Sequence, residues 1–213
     1  MARRDTIRIG SGAGTSDDRM TPALELAERG GLDYLVFECL AERTVARENL
    51  ARSKDPDKGY SPSLHERMQM VLPACIGKGV RIISNMGAAN PLGGALATRR
   101  EARALGLGDI PVAVVLGDDV SEIVRSRPGL TILENGEPLE SILPRLVSAN
   151  AYLGADAICA ALATGAPVVL TGRVADPSLF LAPMMHEFGW SYDDLTKIAQ
   201  GTAAGHLLEC TAS

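Results

Sequence analysis

Four polar side chains that could do chemistry stand at or just after the ends of short apolar runs: Glu38, Asn85, Asn150 and Arg173. A carboxylate such as Glu38 can abstract a proton, and neutral amides such as Asn85 and Asn150 can donate hydrogen bonds to the oxyanion that then develops. An arginine such as Arg173 can hold a carboxylate or a phosphate in a bidentate contact. These residue types together predict proton transfer coupled to addition or elimination.

These residues also have structural interpretations. Glu38 follows the apolar run YLVF, where an ionised carboxylate needs hydrogen bonds or a cationic partner. Asn85 and Asn150 could cap helices or tie loops together. Asp176 before Pro177 has the form of a helix N-cap followed by a first-turn proline, and it is also a candidate for contact with a substrate. The residue types alone leave both the chemical and the structural interpretation open.

Cysteine and histidine residues provide weaker candidates. Cys39, next to Glu38, could act as a nucleophile, but no histidine has a sequence context that identifies it as the partner. His206 and Glu209 lie three residues apart and could form a catalytic or ligand pair on a helix, although such pairs are common in purely structural roles. The four cysteines form no C-x-x-C pair, so we expect neither a disulfide framework nor a zinc ribbon, and we assign no metal ligands.

The glycine-rich opening stretch, IRIGSGAGTSDDR, is a candidate binding loop. Its glycines leave backbone N–H groups open to a ligand. The third glycine of a dinucleotide fingerprint is missing in both registers, and no Walker lysine follows. We therefore expect the amides of Gly12 and Gly14 to hold a carboxylate, a carbonyl oxygen or one phosphate, with Arg19 as a countercharge. The alternative is that the glycines only permit a tight turn.

Short apolar runs alternate along the chain with stretches of helical periodicity, which is typical of an α/β protein. Two of the later runs are nearly continuous in apolar residues, as expected for parallel strands that are covered on both faces. We predict a mainly parallel sheet of five or six strands with helices on both faces. The predicted strands are residues 7–9, 34–37, 80–83, 112–116 and 168–170, with a weaker sixth at 146–148.

Parallel strands place the loops that follow them along one rim of the sheet, and ligands bind at that rim. We therefore predict one pocket that is shared by Glu38, Asn85, Asn150 and Arg173 with Gly12 and Gly14. Two segments interrupt the α/β alternation. Residues 51–62 are charged and rich in turn residues, which indicates a surface loop, and residues 128–138 contain Asn135-Gly136, a strong signal for a small β-hairpin.

Composition limits the class of protein. A chain of 213 residues with 46% hydrophobic content can form one main domain, which we assign to residues 1–213. The 21 basic and 26 acidic residues give a net charge of −5, and the basic residues form no stripe, so nucleic acid is not expected as a partner. The most apolar stretch, residues 157–171, is too short to cross a membrane, and we expect a cytoplasmic protein.

Several long motifs resemble the AtuA family, which is named for acyclic terpene utilisation and is also known as a domain of unknown function. These motifs are GLDYLVFECLAERT, LPACIGKGVRIISNMGAANP, VSANAYLGA, TGRVADPSLFLAP and HEFGW, and the resemblance covers nearly the whole chain. It implies a role in bacterial catabolism of acyclic terpenes and related branched acids through acyl-CoA intermediates. Family members extend beyond the motif GHLLECTAS, so we expect the N-terminal part of a longer architecture or one subunit of a split protein.

The residues and the resemblance together predict a catabolic enzyme that acts on a small carboxylate or an acyl-CoA thioester by lyase or hydratase chemistry. Two alternatives stay open: a nucleotide-binding α/β protein, and a non-catalytic subunit that binds CoA esters. We expect CoA, if present, as part of the substrate, and a second polypeptide or a homo-oligomer. The predicted catalytic residues are Glu38, Cys39, Asn85 and Asn150, and the predicted substrate-binding residues are Gly12, Gly14, Arg19, Arg173 and Asp176.

Overall fold

The computed structural model describes residues 5–127 and 129–210, which form an α/β fold built on a parallel sheet. All strand pairs in the five-stranded sheet are parallel, and the strand order is β1-β2-β3-β5-β4. The predicted fold class is therefore confirmed. The strands are β1 (Ile9–Ala13), β2 (Tyr34–Phe37), β3 (Arg81–Ser84), β4 (Val112–Val115) and β5 (Val168–Thr171).

Helices cover both faces of the sheet. Helices α1, α3 and α4 pack on one face, and α6, α7 and α8 pack on the other. Strand β2 is buried on both sides, because Leu35 and Phe37 face the first helical layer while Tyr34 and Val36 face the second. The helices are α1 (Thr21–Arg29), α2 (Glu42–Lys54), α3 (Leu64–Lys78), α4 (Pro91–Ala104), α5 (Ser121–Arg125), α6 (Ala155–Ala163), α7 (Ser178–Phe188) and α8 (Leu195–Cys210).

The strand order places a topological switch point between β3 and β5. The chain leaves β3 toward α4 on one face of the sheet, whereas it leaves the neighbouring β5 toward α7 on the other face. In open α/β sheets, ligands bind where the connections from adjacent strands diverge in this way. A ligand site is therefore expected at the carboxyl ends of β3 and β5.

The weak sixth strand predicted at residues 146–148 is wrong. These residues follow two short 3-10 turns, Leu139–Ser141 and Leu143–Arg145, and form an irregular segment. The guanidinium of Arg125 donates to the carbonyl oxygens of Leu143 and Leu146, so the carbonyl of Leu146 is bound by a side chain rather than by a strand.

The two predicted interruptions are shorter than the sequence suggests. Residues 51–54 form the last turn of α2, and the loop begins only at Asp55. The predicted hairpin is reduced to one antiparallel bridge between Thr131 and Pro138, closed by a turn at Gly136 with φ of 71°. Residue 128, the first of the predicted hairpin segment, lies outside the described residues. Among those that are described, no helix combines the length and the apolar character that a membrane span requires.

Candidate functional site

Four side chains from four neighbouring strand ends are buried at the carboxyl rim. Glu38 directly follows β2, Asn85 directly follows β3, Arg173 follows β5, and Asp118 follows β4. All four are at most 5% exposed. Parallel topology thus brings to one rim residues that are up to 135 positions apart, from Glu38 to Arg173.

Glu38 is held by neutral hydrogen-bond donors. Asn85 Nδ2 donates to Glu38 Oε1 at 2.7 Å, and the Leu40 N–H donates to the same oxygen at 2.8 Å. Asn85 Oδ1 in turn accepts the Cys39 N–H at 2.7 Å, which fixes the amide orientation. Burial raises the pKa of Glu38 and the charge of Glu209 raises it further, while the two hydrogen bonds and the charge of Arg173 lower it.

Arg173 is a buried guanidinium with unused donors. It is 1% exposed, and its Cζ lies 4.1 Å from the centroid of the Tyr152 ring. Nη2 donates to Asp176 Oδ1 at 2.7 Å. Nε and Nη1 are buried without a hydrogen-bond partner among the described residues. Because a buried polar group without a partner costs free energy, these two nitrogens indicate a place for an anionic ligand.

Asp176 is the carboxylate nearest to this arginine in the described structure. Burial raises its pKa to about 6, the charge of Arg173 lowers it, and the charges of Glu38, Glu209 and Glu42 raise it. Its side chain does not cap α7, because Pro177 occupies the N-cap position. The prediction of a cap at Asp176 is therefore wrong. Its position beside Arg173 and within electrostatic reach of Glu38 keeps it a candidate site residue.

Asn150 contacts the rim through Asp118. Its Nδ2 donates to Asp118 Oδ2 at 3.0 Å, and its Oδ1 accepts Asn49 Nδ2 at 3.3 Å. The same Asp118 oxygen accepts the Arg173 N–H at 2.8 Å. Asn85 and Asn150 thus each donate to a carboxylate of the protein, instead of presenting free amides as the predicted oxyanion donors would.

The glycine-rich stretch is organised differently from its prediction. Strand β1 extends to Ala13, so Gly12 lies inside the strand, at a register irregularity, where a Cβ would lie 2.5 Å from the Phe37 ring. The Gly14 and Thr15 N–H groups donate to Asp18 Oδ2, at 2.7 and 3.0 Å. The loop does hold a carboxylate, but it is the chain's own.

Arg19 and Cys39 do not have the surroundings that their predicted roles require. Arg19 is exposed, and no described contact joins it to Glu38 or Arg173. Cys39 is buried away from solvent, where its thiol lies 3.7 Å from the Thr15 carbonyl oxygen. Burial raises the pKa of Cys39 to about 12, and such a thiol stays protonated at neutral pH, so its environment does not favour a nucleophile.

The end of α8 lies beside the rim. A Cβ on Gly14 would clash with the Glu209 carbonyl oxygen, so the loop after β1 touches the last turn of this helix. His206 Nδ1 lies 3.3 Å from Glu209 Oε2. The side chains of His206, Glu209 and Cys210 each offer an atom that can bind a metal, and these three atoms lie within 4.8 Å of one another. The three residues could therefore hold a metal ion.

The structure adds residues that the sequence did not single out. Tyr152 covers the guanidinium of Arg173, and its hydroxyl donates to a carboxylate oxygen of Glu42. Asp118 joins the ends of β4 and β5 through the Arg173 N–H. Asp118 could have been chosen from its place after a strand, but nothing in the local pattern shows that α2 folds over the rim and brings Glu42 to Tyr152.

Comparison with family models gives one result: residues 7–213 match AtuA, described as acyclic terpene utilisation family protein AtuA. No curated protein and no solved structure matches the chain.

Proposed function

Since the chain belongs to the AtuA family, we propose that it is a catabolic enzyme that transfers a proton on a small carboxylate or an acyl-CoA thioester. The reaction class that we propose is that of a lyase or hydratase, in which proton transfer at carbon accompanies addition or elimination. The family description refers to acyclic terpenes, which supports a catabolic role. The rim residues support the reaction class.

The observation that carries the proposal is the pair formed by Arg173 and Glu38. Arg173 offers two buried nitrogens without a described partner, and each can donate a hydrogen bond to a carboxylate or a carbonyl oxygen of a substrate. Glu38 is buried close enough that the charge of Arg173 affects its pKa. The group that we propose to bind the anion and the carboxylate that we propose as the base therefore lie at one rim.

Glu38 acts as the base in this proposal. The C–H bond next to the substrate carbonyl breaks, its proton moves to the Glu38 carboxylate, and its electron pair passes to the carbonyl oxygen as an enolate. Burial raises the pKa of Glu38, which makes the carboxylate a better proton acceptor than an exposed one. Both described hydrogen bonds reach Oε1, so Asn85 and the Leu40 amide orient the carboxylate as positioning groups.

Two alternatives make different predictions. A nucleotide held by the opening loop would need the amides of Gly14 and Thr15, but these donate to Asp18. A non-catalytic subunit would bind CoA esters without changing them. Location in the cytoplasm and association with a second polypeptide or a second copy of the chain are further proposals, which cell fractionation and light scattering test.

Exchange of substrate hydrogen for deuterium tests the chemistry without knowledge of the product. The chain is incubated in D₂O with short branched carboxylates and with their CoA thioesters, and mass spectrometry measures deuterium at the carbon next to the carbonyl. We expect incorporation that Glu38→Gln slows by about 10²- to 10⁴-fold. The matched control, Glu66→Gln on the exposed surface of α3, should exchange like the native protein.

Arg173→Lys separates binding from proton transfer. This variant keeps the charge but loses the planar fork, so binding of the carboxylate should weaken more than the exchange rate at saturation. Compounds that bind but never exchange would support the non-catalytic subunit and contradict the proposed reaction. Exchange that survives Glu38→Gln would remove Glu38 as the base.

A further inference from the structure

A surface groove beside α2 carries an unusual charge. One wall is a single face of the helix with Arg43, Arg47 and Leu50, and the other wall is the irregular segment with Arg145 and Val147. The open groove has a volume of about 680 Å³. We call it the arginine groove. Three arginines and no carboxylate line it.

The arginines of the groove are available to a ligand. No described hydrogen bond or ion pair engages the side chains of Arg43 and Arg145, and both residues are exposed. Arg47 Nε donates to Glu48 Oε1 at 2.8 Å, and the Arg47 side chain stays 52% exposed. Three guanidinium groups around one depression, in a protein with a net charge of −5, favour a ligand with several negative charges.

Apolar side chains also line the groove. Leu50 is 44% exposed and Val147 is 54% exposed, and the other apolar lining residues are Ala46, Ile142 and Leu146. The volume lies in the range of small-molecule sites and exceeds what a single phosphate fills. Guanidinium groups beside apolar side chains fit a ligand that joins two or more phosphates to an apolar or planar group.

Hydrogen bonds hold one wall of the groove, and the chain continues from this wall to the rim. Arg125 holds the irregular segment through the carbonyl oxygens of Leu143 and Leu146. Ser148 lines the groove, and Tyr152, four residues later, covers Arg173. Four extended residues span at most about 14 Å, so one elongated molecule can reach from the groove to the rim.

We infer that the arginine groove binds the phosphorylated end of the substrate, which makes the substrate a conjugate of an acid with a nucleotide-type carrier rather than a free acid. Assignment of the groove to the substrate rests on the proposed function. Binding of a nucleoside diphosphate by the groove does not depend on it. The same groove chemistry fits a free nucleotide and a CoA ester, and the experiment separates the two.

Calorimetric titration of the native chain with ADP, CoA, inorganic pyrophosphate and a glutamate-rich peptide tests the inference. We expect ADP to bind, CoA to bind more tightly because it also reaches the rim, and binding to weaken from 50 to 200 mM salt. In the double variant Arg43→Gln, Arg145→Gln, ADP should bind at least about 100-fold more weakly, from about tenfold for each charge-assisted contact. Arg100→Gln, on the exposed surface of α4, is the matched control and should bind normally.

Three results would overturn the inference: no saturable binding of ADP at millimolar concentration, unchanged ADP binding by the double variant, or displacement of ADP by the peptide at equal charge. Equal affinities for ADP and CoA would leave a free nucleotide as the ligand and remove the link to the substrate. If ADP binds as expected and no compound exchanges deuterium, the groove assignment stands and the proposed reaction fails.

Discussion

Asp176→Asn should change how stability depends on pH, because this carboxyl is charged at neutral pH in a partly buried place. Its pKa is raised from the ordinary value of 3.8 to about 6, mainly by burial, and its side chain is 28% exposed. Below pH 3.8 the group is uncharged in both the folded and the unfolded chain. Between pH 3.8 and 6 the unfolded chain loses the proton first, so stability is lost as pH rises.

The size of the effect follows from the shift. A difference of about 2.2 between the two pKa values corresponds to about 3 kcal/mol, of which about 2 kcal/mol falls between pH 4.5 and pH 7.5. Asparagine cannot ionise, and its Oδ1 can still accept the hydrogen bond from Arg173. The variant should therefore gain about 2 kcal/mol relative to the native protein when pH rises from 4.5 to 7.5. Contributions from Glu38 are common to both proteins and cancel to first order.

Urea unfolding of both proteins at the two pH values measures this difference. Asp57→Asn, in the exposed loop after α2, is the matched control, and its effect should be equal at both pH values. A difference that is equal at both pH values for Asp176→Asn as well, or that favours the native protein at pH 7.5, would refute the reasoning about burial of this carboxyl.

Two further predictions concern packing and thiols. Gly14→Ala should lower the free energy of unfolding by about 1–3 kcal/mol, because the new methyl group meets the Glu209 carbonyl oxygen. The control Gly77→Ala in α3, where nothing lies within 4 Å of the new methyl group, should be neutral or stabilising. Urea unfolding measures both variants, and equal effects would contradict the contact between Gly14 and Glu209. A thiol reagent should modify the exposed Cys210 first and Cys39 only on unfolding, so a fast phase that survives Cys210→Ser would be unexpected.

The sequence predicts the positions of β2 to β5 better than the extent of β1. The apolar runs locate β2 correctly and β3, β4 and β5 within a residue, because buried parallel strands are continuously apolar. The extent of β1 could not be predicted, because Gly12 carries no apolar side chain and leaves room for the Phe37 ring from the neighbouring strand. That contact is tertiary, so no local pattern records it.

For the candidate site, parallel topology alone predicts that Glu38, Asn85 and Arg173 follow strands and share one rim. The partners of these groups could not be predicted. Tyr152 lies over Arg173 because α2 crosses the rim and Glu42 binds the tyrosine hydroxyl. These contacts depend on the path of a loop and a helix, and the periodicity of α2 describes only which of its faces is apolar.

The strand order also determines when the sheet can be completed during synthesis. Strands β1, β2 and β3 pair with sequence neighbours, but β4 has only β5 as its neighbour, and β5 ends 56 residues after β4, at residue 171 rather than 115. At 5–20 residues per second, a ribosome needs about 3–11 s to make that stretch. Until then β3 and β4 each lack the strand that separates them. Arg173 follows this last strand by two residues, so the group that we propose to bind the anion is synthesised only after every strand of the described sheet.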